Sequence, residues 1–559
     1  MKRVLNRQMI APLRMQPKRL AYAVLAASML LPAIVSAALP AIAPDAGRLT
    51  RELQAPVKAP TPGVTVALPS ASRDSVMAGG PAVVLKSVNF TGNTVFTTAQ
   101  LQAFVQPALG QSLDLAALYN LADQVSAYYR DQGYAFAKVF VPQNGLRDGV
   151  LTLQVFEGNY GARTAKADSP RRSAQAQRFL KPLKAGTPIY APDLERQTLI
   201  LDDQPGYDVM PVIKPGSAIG TGDLEVTLTP TPKVSGNLSI SNHGNRYTGY
   251  YQARANVVIN SPLMFGDQLT YSVMASDARL NSANVGYSLP LGGSGLRATA
   301  SYSSTAYRLG REFANLQASG RAQTTAAGIS YPLIRSRTAN LTASLQSQHK
   351  RFFDEQQSVN ARQSRQSKST VLGLNFDRSD RRGVTYGQVE WANGRFSGPV
   401  PDLALTNGRF SRLNADVVRL QRVFDNLSVY ARINAQRAGE NLDSSESFSI
   451  GGPNSVRAYV TGEGTGDEGQ LGQFEVRYQA SSKLAPFLFY DAGRVRLEHK
   501  PTNAGKNRRT LSGAGVGLRY SHGPLSLETL LAHRLVGGDP QTDPRDNAIT
   551  GWLVLSYAF

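Results

Sequence analysis

The chain has 559 residues, more than one ordinary domain holds, and 42% of them are hydrophobic. It contains no cysteine, which excludes disulfides and thiolate metal sites. Its formal charge of +20 suits anionic partners, but no segment resembles a nucleic-acid-binding module, and that class is set aside.

Residues 1–37 read as a secretory signal peptide. Six cations (Lys2, Arg3, Arg7, Arg14, Lys18, Arg19) precede an apolar run from Leu20 to Val35, and Val35-Ser36-Ala37 suits signal peptidase. The run is too short to span a bilayer and Pro32 interrupts it. No later segment is apolar for long enough to be a membrane helix, so the mature chain spans as strands or not at all. Residues 38–54 hold a short predicted helix from Asp45 to Gln54, with Asp45 as N-cap and Leu49 and Leu53 four apart. A helix this short is marginal alone and needs a place to dock. Residues 55–82 read as a linker, with Pro56, Pro60, Pro62, Pro69 and Pro81. Even as a flexible coil its ends would sit ~30 Å apart.

Residues 83–160 carry strand, helix, helix, strand, strand signals. Val83 to Phe90 reads as a strand. Thr97 with Gln100 is a capping-box pattern before Leu101, Phe104 and Val105. Asp114 caps a second helix with Leu118, Leu121, Ala122, Val125 and Tyr129 on one face, ended by Gly133. Ala135 to Val141 and Val150 to Phe156 read as strands. Residues 161–231 repeat the plan more weakly, with helices predicted over Gln175 to Leu183 and Asp193 to Leu201 and strands over Tyr207 to Ile213 and Leu224 to Leu228.

Residues 232–559 alternate apolar and polar residues with period two in about sixteen segments, an even number as barrels favour. The last runs to Phe559, with Leu553, Leu555, Tyr557 and Phe559 on one face and Val554, Ser556 and Ala558 on the other. Repeated half-apolar strands without helices between them imply a closed membrane β-barrel, because closure leaves no unpaired edge in lipid. Arg432, Asn434, Glu475 and Arg519 fall on the non-lipid face and imply a wet interior. At this strand number the lumen is too wide for side chains alone to fill, so a channel or a plug is expected. Tyr250, Tyr251, Trp391 and Trp552, near strand ends, read either as interface girdle residues or as ordinary strand packing.

Enzymatic signals are absent. The five histidines (His243, His349, His499, His522, His533) stand at no ligand spacing, and no nucleophile motif precedes a helix. Gly462, Gly464 and Gly466 follow no βαβ unit, and Asp467-Glu468 is no calcium loop. No metal, cofactor or catalytic group is expected.

Several motifs resemble the outer-membrane transporters of two-partner secretion, the haemolysin and filamentous-haemagglutinin exporter type. Val88-Asn89-Phe90-Thr91-Gly92-Asn93, Tyr128-Tyr129-Arg130-Asp131-Gln132-Gly133-Tyr134 and Val155-Phe156-Glu157-Gly158 resemble that family's first polypeptide-transport-associated (POTRA) domain. Leu201-Asp202-Asp203-Gln204-Pro205-Gly206 is similar to its second, and Asp45-Ala46-Gly47-Arg48-Leu49 resembles its mobile plug helix. Val456-Arg457-Ala458-Tyr459 resembles the Val-Arg-Gly-Tyr tip of the sixth extracellular loop, with Ala458 where glycine is usual. Phe489-Tyr490-Asp491-Ala492-Gly493 resembles the Phe-x-Asp-x-Gly motif of a later strand. The resemblance implies that the loop folds into the barrel and that Arg457 pairs with Asp491; from spacing alone the two read as unrelated surface charges.

The resemblance implies a plug helix with Asp45, Arg48, Leu49 and Leu53, two α+β POTRA domains in the periplasm, and an outer-membrane barrel latched by Val456, Arg457, Tyr459, Phe489, Asp491 and Gly493. The expected function is export, with possible activation, of one large partner protein without nucleotide hydrolysis. The partner would be of adhesin, haemolysin or contact-dependent toxin type. Outer-membrane lipid, and the barrel-assembly machinery reading Phe559, are the other expected partners of a monomer. The alternatives are a barrel-assembly insertase opening between its first and last strands, a passive porin, or an outer-membrane enzyme.

Overall fold

In the computed structural model the alternating segments close into a barrel of sixteen antiparallel strands. The structure describes residues 44–54, 57, 59–60, 81–398, 408–502, 504–543 and 547–559. The signal peptide expected over 1–37, and most of the linker expected over 55–82, lie outside the described residues.

Each barrel strand pairs with the next, and the last, Ile549–Ala558, returns to the first, Val234–Ser241. The strands are uneven. The first has eight residues, whereas the seventh (Ala339–Gln356) and eighth (Ala361–Asp380) have 18 and 20. At ~3.3 Å per residue the eighth strand is ~66 Å long. Even tilted, it outreaches the ~25 Å apolar band of an outer-membrane barrel. Closure is also uneven. Five residue pairs register first strand to last, from Asn237 with Ala558 to Ser241 with Val554, whereas eighteen register the seventh to the eighth.

Helix α1 (Ala46–Glu52) forms where Asp45 accepts a hydrogen bond from the Arg48 amide at 2.9 Å, capping its first turn. The first α+β unit follows as β1 (Val83–Val84), β2 (Ser87–Thr91), α2 (Thr98–Val105), β3 (Ser112–Leu113), α3 (Leu115–Asp131), β4 (Lys138–Phe140), β5 (Leu146–Arg147) and β6 (Val150–Phe156). The strand expected over Val83 to Phe90 is broken at Leu85–Lys86. Both Lys86 and Ser87 donate to the Gly149 carbonyl, so β1 pairs with β3 and only β2 joins β6. The strand expected over Ala135 to Val141 shortens to β4. The core joins Leu101, Leu118, Val125, Leu151 and Leu153. Glu157 is buried at the end of this sheet. It accepts from the amides of Thr94 (2.7 Å) and Val95 (2.8 Å) and from the Tyr129 hydroxyl (3.1 Å), tying the loop after β2 to α3. Burial, then the Glu157 carboxylate, push the Tyr129 phenol well above its ordinary range.

The second unit is β7 (Asn159–Lys166), α4 (Pro170–Ala176), α5 (Ala191–Asp202), β8 (Tyr207–Pro215) and β9 (Thr221–Pro230), in sheet order β7-β9-β8. The helix expected from Gln175 starts earlier, because Ser169 caps it and Pro170 suits the first turn; a 3-10 turn, Gln177–Leu180, replaces its end. This unit is docked on the connections that follow the even-numbered strands. Phe265 packs against Phe179 and Tyr207, Gln197 donates to the Gly293 carbonyl at 2.7 Å, and Arg335 makes two 2.7 Å bonds to Asp203. The resemblance expects that end of the barrel to be periplasmic; the long connection after the eleventh strand (Leu427–Ala438) starts from the opposite end.

Candidate functional site

The connection between Leu427–Ala438 and the twelfth strand, Glu468–Tyr478, folds back into the barrel. Its tip is a tight turn. The Val456 amide donates to the Ile450 carbonyl, Tyr459 to Val456, and Gly452 to Tyr459, each at 3.0 Å. The Gly452 backbone has φ +117°, a conformation that side chains oppose. Ile450, Val456, Ala458 and Tyr459 are fully buried against Phe487, Phe489, Leu511 and Trp552, which all point inward. The interior is therefore not uniformly wet: an apolar core occupies the wall on which the loop rests. Gly493 makes room for it, since a β-carbon there would stand 3.0 Å from Ile450.

Burying Arg457 in this apolar seat requires compensating charge. The guanidinium forms a two-bond fork with Asp491, Nε at 2.8 Å and Nη2 at 2.7 Å, and the Arg457 amide adds a bond of 3.1 Å to the same carboxylate. The remaining Nη1 bonds Glu475. That carboxylate is also held by Arg477 (2.7 Å) and Arg519 (3.2 Å), and Arg519 reaches Glu528 at 2.8 Å. The Phe489 ring lies 3.8 Å under the guanidinium carbon, and Phe487 lies 4.1 Å from that of Arg519.

The tip is also fastened to the last strands. The Trp552 indole donates to the Arg457 carbonyl (2.8 Å), Thr550 donates to the Ala458 carbonyl (2.9 Å), and the Tyr459 hydroxyl donates to the carbonyls of Val536 (2.9 Å) and Gly538 (3.0 Å). Of the four candidate girdle residues, Trp552 is thus inside, and Tyr250 also turns inward to Asp543 at 3.1 Å. Tyr251 and Trp391 are exposed on the outer side.

Helix α1 sits inside the barrel, against the same loop. Asp45 accepts from the Ser444 hydroxyl (2.7 and 2.8 Å) and pairs with Arg365 (2.9 Å) on the eighth strand. Arg365 also holds Asp354 (2.9 Å) and Asp443 (2.7 Å), so one cation joins helix, wall and loop. The Ala46 amide donates to Asp354 at 3.0 Å. Arg48 pairs with Glu52 at 3.1 Å and donates to the Gly462 carbonyl. Glu52 accepts from Asn245 at 3.2 Å, and Arg51 donates to the Ser447 carbonyl at 3.0 Å. Leu49 is buried, whereas Leu53 ends the helix half-buried. Nearby, Glu446 is held by Lys350 and, at 2.7 Å, by Arg412.

The structure thus brings Arg457 to Asp491, and Asp45, Arg48 and Leu49 to the loop. Sequence reasoning missed Arg365 and Asp354, whose alternation marks them only as lumen-facing, and Asp443 and Glu446, which lie in the loop where no alternation marks them. It placed Glu475 on the non-lipid face without its ion pairs, and missed that Trp552 points inward, for which its out-of-phase position beside Leu553 was the available signal. Among the described residues no group of histidines and acids could hold a metal ion.

This geometry agrees with comparisons to known proteins. The family model described as "Haemolysin secretion/activation protein ShlB/FhaC/HecB" matches residues 220–520, and that of the ShlB-type POTRA domain matches 83–158. The chain is 26% identical to the heme/hemopexin transporter protein HuxB of Haemophilus influenzae over 542 residues, 91% of this chain and 94% of the relative. It is 27% identical to the outer membrane transporter CdiB of Escherichia coli over 475 residues, 80% of this chain and 78% of the relative. A solved structure of CdiB from Escherichia coli shares the fold with a TM-score of 0.72, at 22% identity, over 92% of this chain and 95% of that one. The chain therefore belongs to the haemolysin secretion/activation family of ShlB, FhaC and HecB, the outer-membrane translocators of two-partner secretion, with its POTRA domains in the periplasm.

Proposed function

We propose that the barrel exports one large partner protein and that the described arrangement is its closed state, with α1 as plug and the Arg457 tip as latch. The observation that carries this reading is the seat of α1, held by Arg365 and Ser444 inside the barrel at the end of a proline-rich tether. Withdrawal of α1 and a shift of the loop would open a lumen lined by Arg365, Arg412, Arg432 and their acids. The POTRA units would take the unfolded partner by adding its strand to a sheet edge. Edge strand β2 is free of proline, whereas β8 carries Pro211 and Pro215, which lack the N–H that pairing needs. Without a nucleotide site, folding of the partner outside would make transit one-way. The partner would be an adhesin, haemolysin or contact-dependent toxin.

The chain would act as a monomer. Phe559, which exchanges two 2.9 Å backbone bonds with Gly236 and leaves its ring half-exposed, would be the mark read by the barrel-assembly machinery. The short five-pair seam supports a second reading, an insertase that opens laterally between first and last strands. Mass spectrometry of supernatant, cell surface and outer membrane, with and without the chain, separates the two. Loss of one large secreted protein supports export. A general fall in outer-membrane barrels supports insertion.

A further inference from the structure

On the outer wall, the register of the seventh to tenth strands stacks three chemical layers. The ninth strand is Gly383–Ser397 and the tenth Gly408–Phe424. Leu345, Leu372, Trp391 and Leu413 are directly opposite one another, one per strand, and each is between 44% and 46% exposed. Two residues nearer the extracellular end, Ser347, Thr370, Asn393 and Ser411 form a second row. Two residues further, His349, Lys368, Arg395 and Arg409 form a third. Lys368 thus faces Arg395, and Arg395 faces Arg409, with no acid in the row. Like charges placed directly opposite destabilise a sheet.

The inward cations of these strands are compensated: Arg365 has three carboxylates and Arg412 has Glu446. On the outer face Arg362 pairs with Glu355 at 2.8 Å, but the cations of the third row have no such partner. Among the described residues Lys368, Arg395 and Arg409 have no side-chain hydrogen bond or ion pair, nor does Arg351, one step beyond the row on the seventh strand. The connection 399–407 contributes a single acid to the sequence, Asp402. An anion from outside the chain would offset the like charges of this row. Two residues advance ~6.6 Å along a strand, so the cations lie ~13 Å along the strand from the apolar row. That is the order in which a lipid presents acyl chain, polar head and phosphate.

We propose that this wall binds a phosphorylated glycolipid of the outer leaflet. Its acyl chains lie on the Leu345–Leu413 row, its sugar hydroxyls meet the serine, threonine and asparagine row, and its phosphates bridge Lys368, Arg395 and Arg409. A basic residue near an anionic lipid surface contributes roughly fivefold in affinity, so three together contribute about a hundredfold.

The test uses the full chain in phosphatidylcholine nanodiscs, titrated with bis-phosphorylated lipid A, with dephosphorylated lipid A and with phosphatidylglycerol. Bound lipid is measured by native mass spectrometry at low and high salt. The expected result is salt-sensitive binding of bis-phosphorylated lipid A, weakened about a hundredfold in K368Q/R395Q/R409Q and retained in K368R/R395K/R409K. Heat-modifiable migration checks that each barrel is folded. Should the triple variant not fold, R395Q alone, flanked by a cation on either side, should lose roughly fivefold. Equal binding by the glutamine variants, or by dephosphorylated lipid A, would overturn the phosphate site. Equal binding of phosphatidylglycerol would overturn the choice of a glycolipid.

Discussion

Ala458 lies directly over Gly513: a β-carbon built at Gly513 would come within 2.2 Å of the Ala458 methyl. The methyl at the loop tip, where the motif it resembles has glycine, is accommodated because the fourteenth strand (Arg508–His522) has none at that place. Ala458 itself keeps a negative φ, so its backbone is unstrained.

Gly513→Ala is therefore expected to unseat the tip, at an overpacking cost of about 1–3 kcal/mol. Export of the partner should fall while the barrel remains in the outer membrane, and the loop should become protease-sensitive. Adding Ala458→Gly removes the nearest clash and should restore export in part, because the new methyl would still stand 2.9 Å from the His533 carbonyl. Immunoblots of supernatant and membrane fractions compare the three chains.

Removing the latch cation is the harsher change. Arg457→Ala leaves Asp491 and Glu475 buried without their shared partner, a loss of about 3–5 kcal/mol for a buried pair. Arg457→Lys keeps the charge but not the fork, and should recover little. Secreted partner per folded barrel is the readout, and unchanged secretion would remove Arg457 from the mechanism.

Asp45→Ala and Arg365→Ala should each release α1, the first through loss of its cap, worth about 1 kcal/mol, and of its pair with Arg365. Single-channel conductance in planar bilayers should rise for both. Arg365→Ala should have the larger effect because it leaves Asp45, Asp354 and Asp443 facing one another.

These contrasts show what the chain's letters disclose. Period two and the even segment count made the barrel legible, since alternation is the direct consequence of strand geometry. Arg457 and Asp491 were legible through their motifs, and α1 through the Asp45 cap. Arg365 was not. It stands in Ala361-Arg362-Gln363-Ser364-Arg365-Gln366, where every second polar residue faces the lumen, and its partners come from chain positions 320 and 78 residues away. Such convergence is a property of closure, and no local pattern records it. The apolar seat under the loop was hidden similarly, because Phe487, Phe489 and Trp552 lie among residues whose alternation suggested a polar face.

Acid should tighten the extracellular end of the loop. Burial pushes the Asp467 carboxyl up to about 6, although the His499 amide donates to it at 2.8 Å. A carboxyl whose folded pKa exceeds its unfolded value opposes folding when ionised. Stability should rise as pH falls from 7 through 6 toward 4. Asp467→Asn should remove that part of the pH dependence. The difference between the two chains across that pH range is the quantity to measure by thermal unfolding.

Glu157→Gln should loosen the first POTRA domain, since a buried carboxylate holding two amides and the Tyr129 hydroxyl contributes about 1–3 kcal/mol. Limited proteolysis should cut residues 83–158 sooner, with the barrel unaffected, and partner capture should weaken.

The carboxylate of Asp45 serves two bodies at once. It caps the helix, accepts from Ser444 on the loop, and shares Arg365 with Asp443 of that loop. Neither body can leave without depriving the other of a ligand. Thermodynamic linkage then makes their release reciprocal: whatever factor a displaced loop adds to the odds of helix departure, a departed helix adds to the odds of loop displacement. An arriving partner protein that engages either one would thereby bias both, and the channel would behave as a two-state switch rather than a pair of independent gates.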